Sequence, residues 1–483
     1  MINFSVNNCY TYAKNFTPEE ISTVKSYCTH QVKKFVSLYK NTSGGIMPAF
    51  RYKQLSPIDK KYWKLETSFD VSFISYYYDK YNSFPTGWLP EIASLLDDSL
   101  IEYQIHDNRV VYETIPISYN LPELRYYQTE AVKKAVYIER GILQHPTGSG
   151  KTITSCAILA NLGLTSLIIV PNLILLNQTY DYMCKAFSPD LVGKIGEGDW
   201  SPKLFTVATA QTLWSRIAQK ETIDFLDSIK VLIGDECHKI NENEEHLPNT
   251  WYRVAMKCYN AFYRFGMSAT PGKLGSLQRR LLEGATGGIL HQVELQELID
   301  KGYLTNARII IKKLKMPKIK GNWRQSYEEH ILNNNQRNHT ITLFADKFSR
   351  EGKSVLIIVD EVEEHAKKLN EMIPMSAILI GESKKKIRQD VLYNFRSGKQ
   401  KILISTLLNE GFDFRGLDVV ILAAGKKSNK LIAQRVGRAL RTEAGKKEAI
   451  IVDFYDDDNG YLVKHSKQRI EVYKELGFPI EFI

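Results

Sequence analysis

The sequence lacks any apolar run near the ~20 residues that a membrane-spanning helix requires. Its first residues, MINFSVNNCYTYAKNF, are polar or charged where a secretory leader needs an apolar stretch. Cysteine is sparse: Cys9, Cys28, Cys156, Cys184, Cys237 and Cys258 are scattered, with no CxxC pair and no metal-ligand spacing. That pattern excludes a zinc ribbon or a disulfide framework and fits a reducing compartment. Short-period repeats and low-complexity tracts are also missing. Hydrophobic residues at 43% and charged residues at 24% are ordinary globular proportions, which argues against a disordered or fibrous chain. The expectation is a cytoplasmic protein without membrane contact. Its 483 residues leave room for about three domains at ~150 residues each.

Charge and aromatic content divide the chain unevenly. Residues 1–115 hold 12 Lys/Arg and 12 Asp/Glu, residues 116–305 hold 19 of each, and residues 306–483 hold 33 against 23. The whole excess of +10 therefore lies in the last third, and a basic surface confined to one region points to a polyanion partner. The first 115 residues instead carry 21 of the 53 aromatics and show neither a phosphate loop nor a catalytic cluster. Beyond Asn120, short apolar runs alternate with helix-length amphipathic segments. The runs are Leu167 to Val170, Val231 to Ile233, Val355 to Val359, Ile402 to Ile404 and Val419 to Leu422. Strands this apolar belong in parallel sheets covered on both faces. The pattern occurs twice, on either side of a lysine-rich stretch near 305–325 (Lys312, Lys313, Lys315, Lys318, Lys320) that reads as a connecting segment. The expected domains are 1–115, 116–305 and 306–483.

The sharpest local signal is His145-Pro146-Thr147-Gly148-Ser149-Gly150-Lys151-Thr152. A loop between strand and helix needs glycines so that its backbone N–H groups can close round phosphate oxygens, and the helix that follows adds its positive end. Lys151 would contact the β- and γ-phosphates and Thr152 would offer a hydroxyl to Mg²⁺, with Thr147, Gly148, Ser149 and Gly150 lining the cradle. His145 stands where the strict motif has its first glycine. Some eighty residues later the apolar run Val231-Leu232-Ile233-Gly234 delivers Asp235-Glu236-Cys237-His238 at its carboxyl end, where ligands of open α/β sheets bind. Asp235 can hold Mg²⁺ through water, and Glu236 is placed to deprotonate the attacking water. An acidic turn alone would read as a solvated strand end; the upstream loop changes the balance.

With these residues in place, 116–460 resembles the superfamily 2 helicases. Leu124-Arg125-Tyr126-Tyr127-Gln128 looks like the adenine-reading segment, with Arg125 and Gln128 on the nucleotide. Val170-Pro171-Asn172 and Thr206 to Thr212 resemble motifs Ia and Ib, which assigns Pro171 and Thr209 to the nucleic-acid backbone. Asp235 to His238 is a DECH box, and Ser268-Ala269-Thr270 resembles motif III. By resemblance, His238, Ser268 and Thr270 couple hydrolysis to movement. Ile404-Ser405-Thr406 with Glu410-Gly411-Phe412-Asp413 is similar to motif V, giving Thr406 to nucleic acid and Asp413 to nucleotide. Gln434-Arg435-Val436-Gly437-Arg438-Ala439-Leu440-Arg441 matches QxxGRxxR. Gln434, Gly437, Arg438 and Arg441 also fall on one helical face by spacing, and Arg438 and Arg441 are expected as arginine fingers.

The resemblance implies an α/β fold: two tandem RecA-like parallel-sheet motor domains preceded by a small α+β N-terminal domain. Its cofactor would be Mg²⁺ and its substrate ATP. DECH and QxxGRxxR, with Gly302-Tyr303-Leu304-Thr305 and Asn335-Gln336-Arg337-Asn338, are similar to DNA motors of the restriction and repair type. The layout as a whole resembles phage branch-migration helicases of the UvsW type. The leading expectation is unwinding or remodelling of branched DNA, with a duplex-DNA translocase and an RNA helicase as alternatives. In the first 115 residues, core packing is the plainer reading of the aromatics. Ser83-Phe84-Pro85-Thr86-Gly87-Trp88 is the best candidate for an exposed wedge, because Pro and Gly favour a turn there.

Overall fold

The computed structural model describes residues 1–41, 46–48, 63–237, 250–317, 323–359, 363–380, 383, 385–406, 417–425, 440, 448–457 and 460–483. The chain begins with a four-stranded sheet ordered Ser83–Pro85, Tyr10–Lys14, Ile2–Val6, Tyr103–Asp107. Helix Pro18–Cys28 follows the first hairpin, opened by Thr17, whose hydroxyl accepts the Glu20 N–H while the Glu20 carboxylate accepts the Thr17 N–H. From this helix runs a long antiparallel pair, Thr29–Asn41 with Trp63–Ser75, in register from Thr29 opposite Ser75 to Asn41 opposite Trp63.

The central sheet has eight strands, ordered Asp199–Ser201, Val192–Gly196, Phe205–Thr209, Ser166–Val170, Val231–Asp235, Tyr263–Ser268, Arg140–Gln144, Ile289–Gln292. All neighbours are parallel except the outermost pair. Phe205–Thr209 and Ser166–Val170 are buried along their whole length, which is why their sequences show no alternation. The second sheet has seven parallel strands, ordered Ser376–Leu379, Ile402–Ser405, Val355–Ile358, Val419–Leu422, Glu448–Asp457, Asn306–Lys315, Ile480–Phe482. Both sheets thus form the tandem parallel-sheet architecture expected from the apolar runs. No helix among the described residues is long and apolar enough to cross a membrane, and all six cysteines are free.

Two expectations need correction. The lysine-rich stretch is no connector at its start: Asn306–Lys315 is a ten-residue strand inside the second sheet, paired over its full length with Glu448–Asp457. Ala307, Ile309, Ile311 and Leu314 are buried while Lys313 and Lys315 point to solvent. The lysines therefore mark the exposed positions of a strand and not a linker; Lys318 and Lys320 lie outside the described residues. Nor is Ser83 to Trp88 an exposed wedge. Ser83, Phe84, Thr86, Gly87 and Trp88 are all buried. Phe84 meets Phe4 edge-on at 5.7 Å, and the Trp88 indole N–H donates to the Arg280 carbonyl at 2.7 Å.

The reason is that this segment docks onto helix Leu277–Thr286 of the central domain. Two glycines make the approach possible. A Cβ on Gly87 would sit 1.9 Å from the Glu283 carbonyl oxygen, and one on Gly284 would sit 3.1 Å from the Trp88 ring. Ile2, Phe4, Phe84, Trp88, Ile92 and Leu96 consequently share one continuous hydrophobic core with Ile142, Ile169, Leu232 and Leu282. The fully buried Arg264 closes the seam, donating to the carbonyls of Ala255, Cys258 and Ala285 and reaching the Cys9 Sγ at 3.4 Å.

Candidate nucleotide site

Strand Arg140–Gln144 ends in the loop His145–Gly150, and helix Lys151–Leu162 begins directly after it. Gly148 and Gly150 both adopt left-handed backbone, at φ 89° and 85°. Gly150 is doubly required, since a Cβ there would lie 2.5 Å from the Gln128 Nε2. The helix is buried along most of its length, so the loop is anchored on a rigid element and its N–H groups open at the carboxyl edge of the sheet.

His145 explains its own departure from the strict motif. It is fully buried, with its Nε2 2.9 Å from the His291 Nδ1 and its ring edge-on to Tyr127. Burial, then the neighbouring His291 and Lys151, push its pKa down to about 3, so the ring is neutral at working pH. Its side chain packs beneath the loop and leaves the cradle open. The Ser149 carbonyl accepts two hydrogen bonds from below, from the Tyr127 hydroxyl at 2.6 Å and the Gln128 Nε2 at 2.9 Å. Gln128 is buried, and its Oε1 accepts the Arg125 N–H at 3.0 Å. In this state it braces the loop. Arg125 donates to the Tyr127 hydroxyl at 3.0 Å and lies 4.8 Å over the Tyr303 ring.

Facing the loop, strand Val231–Asp235 presents Asp235, and Glu236 follows at φ 47°. A left-handed non-glycine residue is a strained feature of the kind that collects at functional sites. The Glu236 N–H donates to the Asp235 Oδ1 at 2.9 Å, and the Glu236 Oε1 lies 3.7 Å from the Lys151 Nζ. Burial, and then the adjacent Glu236, raise the Asp235 carboxyl from 3.8 to about 6. Two carboxylates beside the Lys151 ammonium form an electron-rich corner. With the Thr152 hydroxyl half-buried on the first helical turn, this donor set suits a hard divalent cation, which takes one or two carboxylates and completes its shell with phosphate and water. No group of three His, Cys, Asp or Glu side chains suited to a metal occurs among the described residues.

A pH dependence follows. The folded Asp235 holds its proton to a higher pH than an unfolded one, so its ionisation removes stability as pH rises from near 4 to about 6. Metal-free Asp235→Asn should therefore resist thermal unfolding better than the parent chain above pH 6 and no better near pH 4, while losing turnover throughout. Melting curves at both pH values check this; a stability difference independent of pH would contradict the buried-carboxylate account.

The remaining expected residues are distributed as follows. Ser268 ends strand Tyr263–Ser268; its carbonyl accepts the His145 N–H at 3.1 Å and its hydroxyl accepts the Thr270 N–H at 3.0 Å. Ser268 is thus bonded to the loop, and Thr270 to Ser268. Thr209 is buried and caps helix Ala210–Ser215, its hydroxyl 2.8 Å from that of Thr212. The Pro171 carbonyl accepts from the Gln211 amide at 3.3 Å, and the half-buried Thr406 donates its N–H to Leu379 at 3.2 Å. His238, Asp413, Gln434, Arg438 and Arg441 lie outside the described residues. Tyr127, His291 and Tyr303 were missed by motif reading; the adjacent aromatics at 126 and 127 and the Gly-Tyr-Leu segment were the available signals.

Two stretches of the chain are similar to known protein families. A family model described as the res subunit of type III restriction enzymes matches residues 121–273, and the helicase conserved C-terminal domain matches residues 335–443. A DNA 3'-5' translocase, XPB2, of Sulfurisphaera tokodaii is 26% identical over 396 residues, 73% of this chain and 86% of that protein. The ATP-dependent DNA helicase uvsW of Enterobacteria phage T4 is 25% identical over 397 residues, 74% of this chain and 76% of that one. Among solved structures, the restriction-modification enzyme LlaBIII bound to DNA superposes with a TM-score of 0.57 at 16% identity, over 81% of this chain and 34% of that one. That likeness is one of fold.

Proposed function

We propose, for a chain that belongs to the superfamily 2 helicases and is an ATP-dependent nucleic-acid helicase, that its substrate is DNA and that it unwinds or remodels forks and junctions in the cytoplasm. The observation that carries the reading is the corner formed by Lys151, Asp235 and Glu236 beneath a glycine loop at the carboxyl edge of the central sheet.

In this reading the loop N–H groups and Lys151 hold the phosphates, and Thr152 and Asp235 hold Mg²⁺. The metal would neutralise charge developing on the phosphate oxygens. Glu236 accepts the proton of the attacking water, and Asp235 keeps Glu236 in place through its backbone N–H. Gln434, Arg438 and Arg441, with Asp413, would complete the site from the second motor, and His238, Ser268 and Thr270 would tie hydrolysis to movement. Pro171, Thr209 and Thr406 would touch the nucleic-acid backbone; for Thr209, whose hydroxyl caps a helix, its N–H or its neighbours are the groups left to do so. The excess charge of residues 306–483 supports a strong phosphate grip there, with each contact adding ~0.9 to the log–log salt slope on duplex.

Choice of branched DNA is assigned to the N-terminal region. Excising residues 30–74 and joining Thr29 to Ser75 tests this, because the two are paired and their hydroxyls lie 3.3 Å apart. The excised protein should keep DNA-stimulated ATPase and lose its preference for forks and four-way junctions over blunt duplex in strand-displacement assays. An unchanged preference would place branch recognition outside residues 30–74. A second reading, translocation on duplex without strand separation, is favoured by the likeness to a protein named a DNA translocase. Tracking on blunt duplex with no displaced strand on any fork would select it, and stimulation by RNA alone would replace both.

A further inference from the structure

Tyr127 belongs to helix Tyr126–Ile138 of the first motor, yet its ring is buried in the core of the second. Its partners in that core include Leu298, Leu304 and Leu440. At the other end of the same side chain, the hydroxyl donates to the Ser149 carbonyl of the phosphate loop at 2.6 Å. Tyr303 packs beside it, ring centroids 5.9 Å apart, in the turn that leaves helix Leu295–Asp300. The turn is fixed to that helix by the Tyr303 and Leu304 N–H groups, both donating to the Leu298 carbonyl. Two residues on, the Thr305 N–H donates to the Leu440 carbonyl at 2.7 Å. In sequence Leu440 lies between Arg438 and Arg441.

These contacts form one uninterrupted route from the phosphate loop through Tyr127, Tyr303 and Thr305 to Leu440. We propose that Tyr127 and Tyr303 are positioning residues that transmit the state of the phosphate loop to the second motor at Leu440. The inference rests on the ATPase reading above. Physically, a loop that shifts on taking phosphate moves the Ser149 carbonyl. The Tyr127 hydroxyl follows it, and a rigid ring packed against Tyr303 carries that displacement into the turn. Neither tyrosine needs to touch nucleotide for this. Arg125, stacked 4.8 Å over Tyr303 and bonded to the Tyr127 hydroxyl, binds the two rings into one unit.

The test uses the full chain as Tyr127→Phe, Tyr303→Leu, Tyr303→Phe and the double variant Tyr127→Phe/Tyr303→Leu. It measures DNA-stimulated kcat beside the affinity for a fluorescent ADP. Tyr127→Phe removes one hydroxyl and keeps the buried ring, so it tests the route without disturbing the core. Tyr127→Phe and Tyr303→Leu should each lower kcat by about five- to twentyfold, the range of mutations along a coupling route. ADP affinity should stay within about twofold, and the double variant should be no slower than the slower single one, because serial elements are not additive. Tyr303→Phe, which keeps the ring, should restore turnover. Unchanged kcat in Tyr127→Phe would overturn the proposal. So would additive losses, or a fall in ADP affinity that accounts for the whole defect, which would make these residues part of the base pocket. Absence of DNA-stimulated turnover in the unmodified chain would instead overturn the ATPase reading itself.

Discussion

Lys151→Ala is expected to lower ATP turnover by about 10²–10³-fold, the loss typical of removing one charge-stabilising donor from a phosphoryl or acyl transfer site. Lys151 opens helix Lys151–Leu162, and its ammonium lies 3.7 Å from the Glu236 Oε1. Its removal takes the charge that would meet the β- and γ-phosphates. It also leaves Asp235 and Glu236 facing each other with less compensation, so Asp235 should take up its proton at a still higher pH than the present value of about 6. The fold should survive, because the side chain, although only 9% exposed, belongs to none of the hydrophobic core clusters. Steady-state ATPase with saturating DNA, beside a thermal melt, measures both sides. Turnover near that of the unmodified chain would remove the phosphate-loop assignment, and a collapsed melt would show that Lys151 holds the fold together.

The second large effect is structural. Removing residues 1–115 is expected to yield a chain that aggregates or unfolds, where composition alone would suggest a motor left intact. The first strands and the Phe84 to Trp88 segment lie in the same hydrophobic core as Ile142, Ile169 and Leu282, so deletion bares the side of the ATP-binding domain. Trp88→Ala is the minimal version. It should cost about 3–5 kcal/mol, the usual range for a buried Trp replaced by Ala, and it also strips the Arg280 carbonyl of its 2.7 Å donor. Denaturant titration of Trp88→Ala and exposure of dye-binding surface in the deleted chain are the measurements. A monomeric, cooperatively melting chain beginning near Leu121 would show that the shared core is dispensable. The excision of residues 30–74 is the gentler probe of branch recognition, since it leaves Ile2, Phe4, Phe84 and Trp88 in place.

Much of this protein is legible in its residues alone. The strands Ser166–Val170, Val231–Asp235, Val355–Ile358, Ile402–Ser405 and Val419–Leu422 are visible as apolar runs, because a strand buried on both faces has no polar positions to obscure it. Loop and carboxylates are legible for a related reason. Phosphate chemistry demands glycine at set backbone angles and an acid at a strand end, and both demands are local. The lysines of Asn306–Lys315 mislead because a strand near a sheet margin can carry charge on its exposed positions and still pair fully.

Anything that depends on which surfaces meet is hidden from such a reading. Pro85 and Gly87 announce a turn, but whether Trp88 faces water or protein depends on a groove beside Gly284, some two hundred residues away. His145 looks like a departure from the phosphate-loop pattern until its partner is known: His291, 2.9 Å away, takes it into the core as a neutral ring. Tyr127, one of a pair of adjacent tyrosines, joins the phosphate loop to the second motor only because helix Tyr126–Ile138 brings its ring against Tyr303. Residue types and spacings, acting over a few positions, are thus enough to mark the glycine loop, the acidic strand end and the two parallel sheets. That residues between Ile2 and Cys28 and between Tyr76 and Leu96 share a core with the first parallel sheet, and that one tyrosine spans both motors, comes from tertiary packing, because burial and contact are properties of surfaces brought together over hundreds of residues.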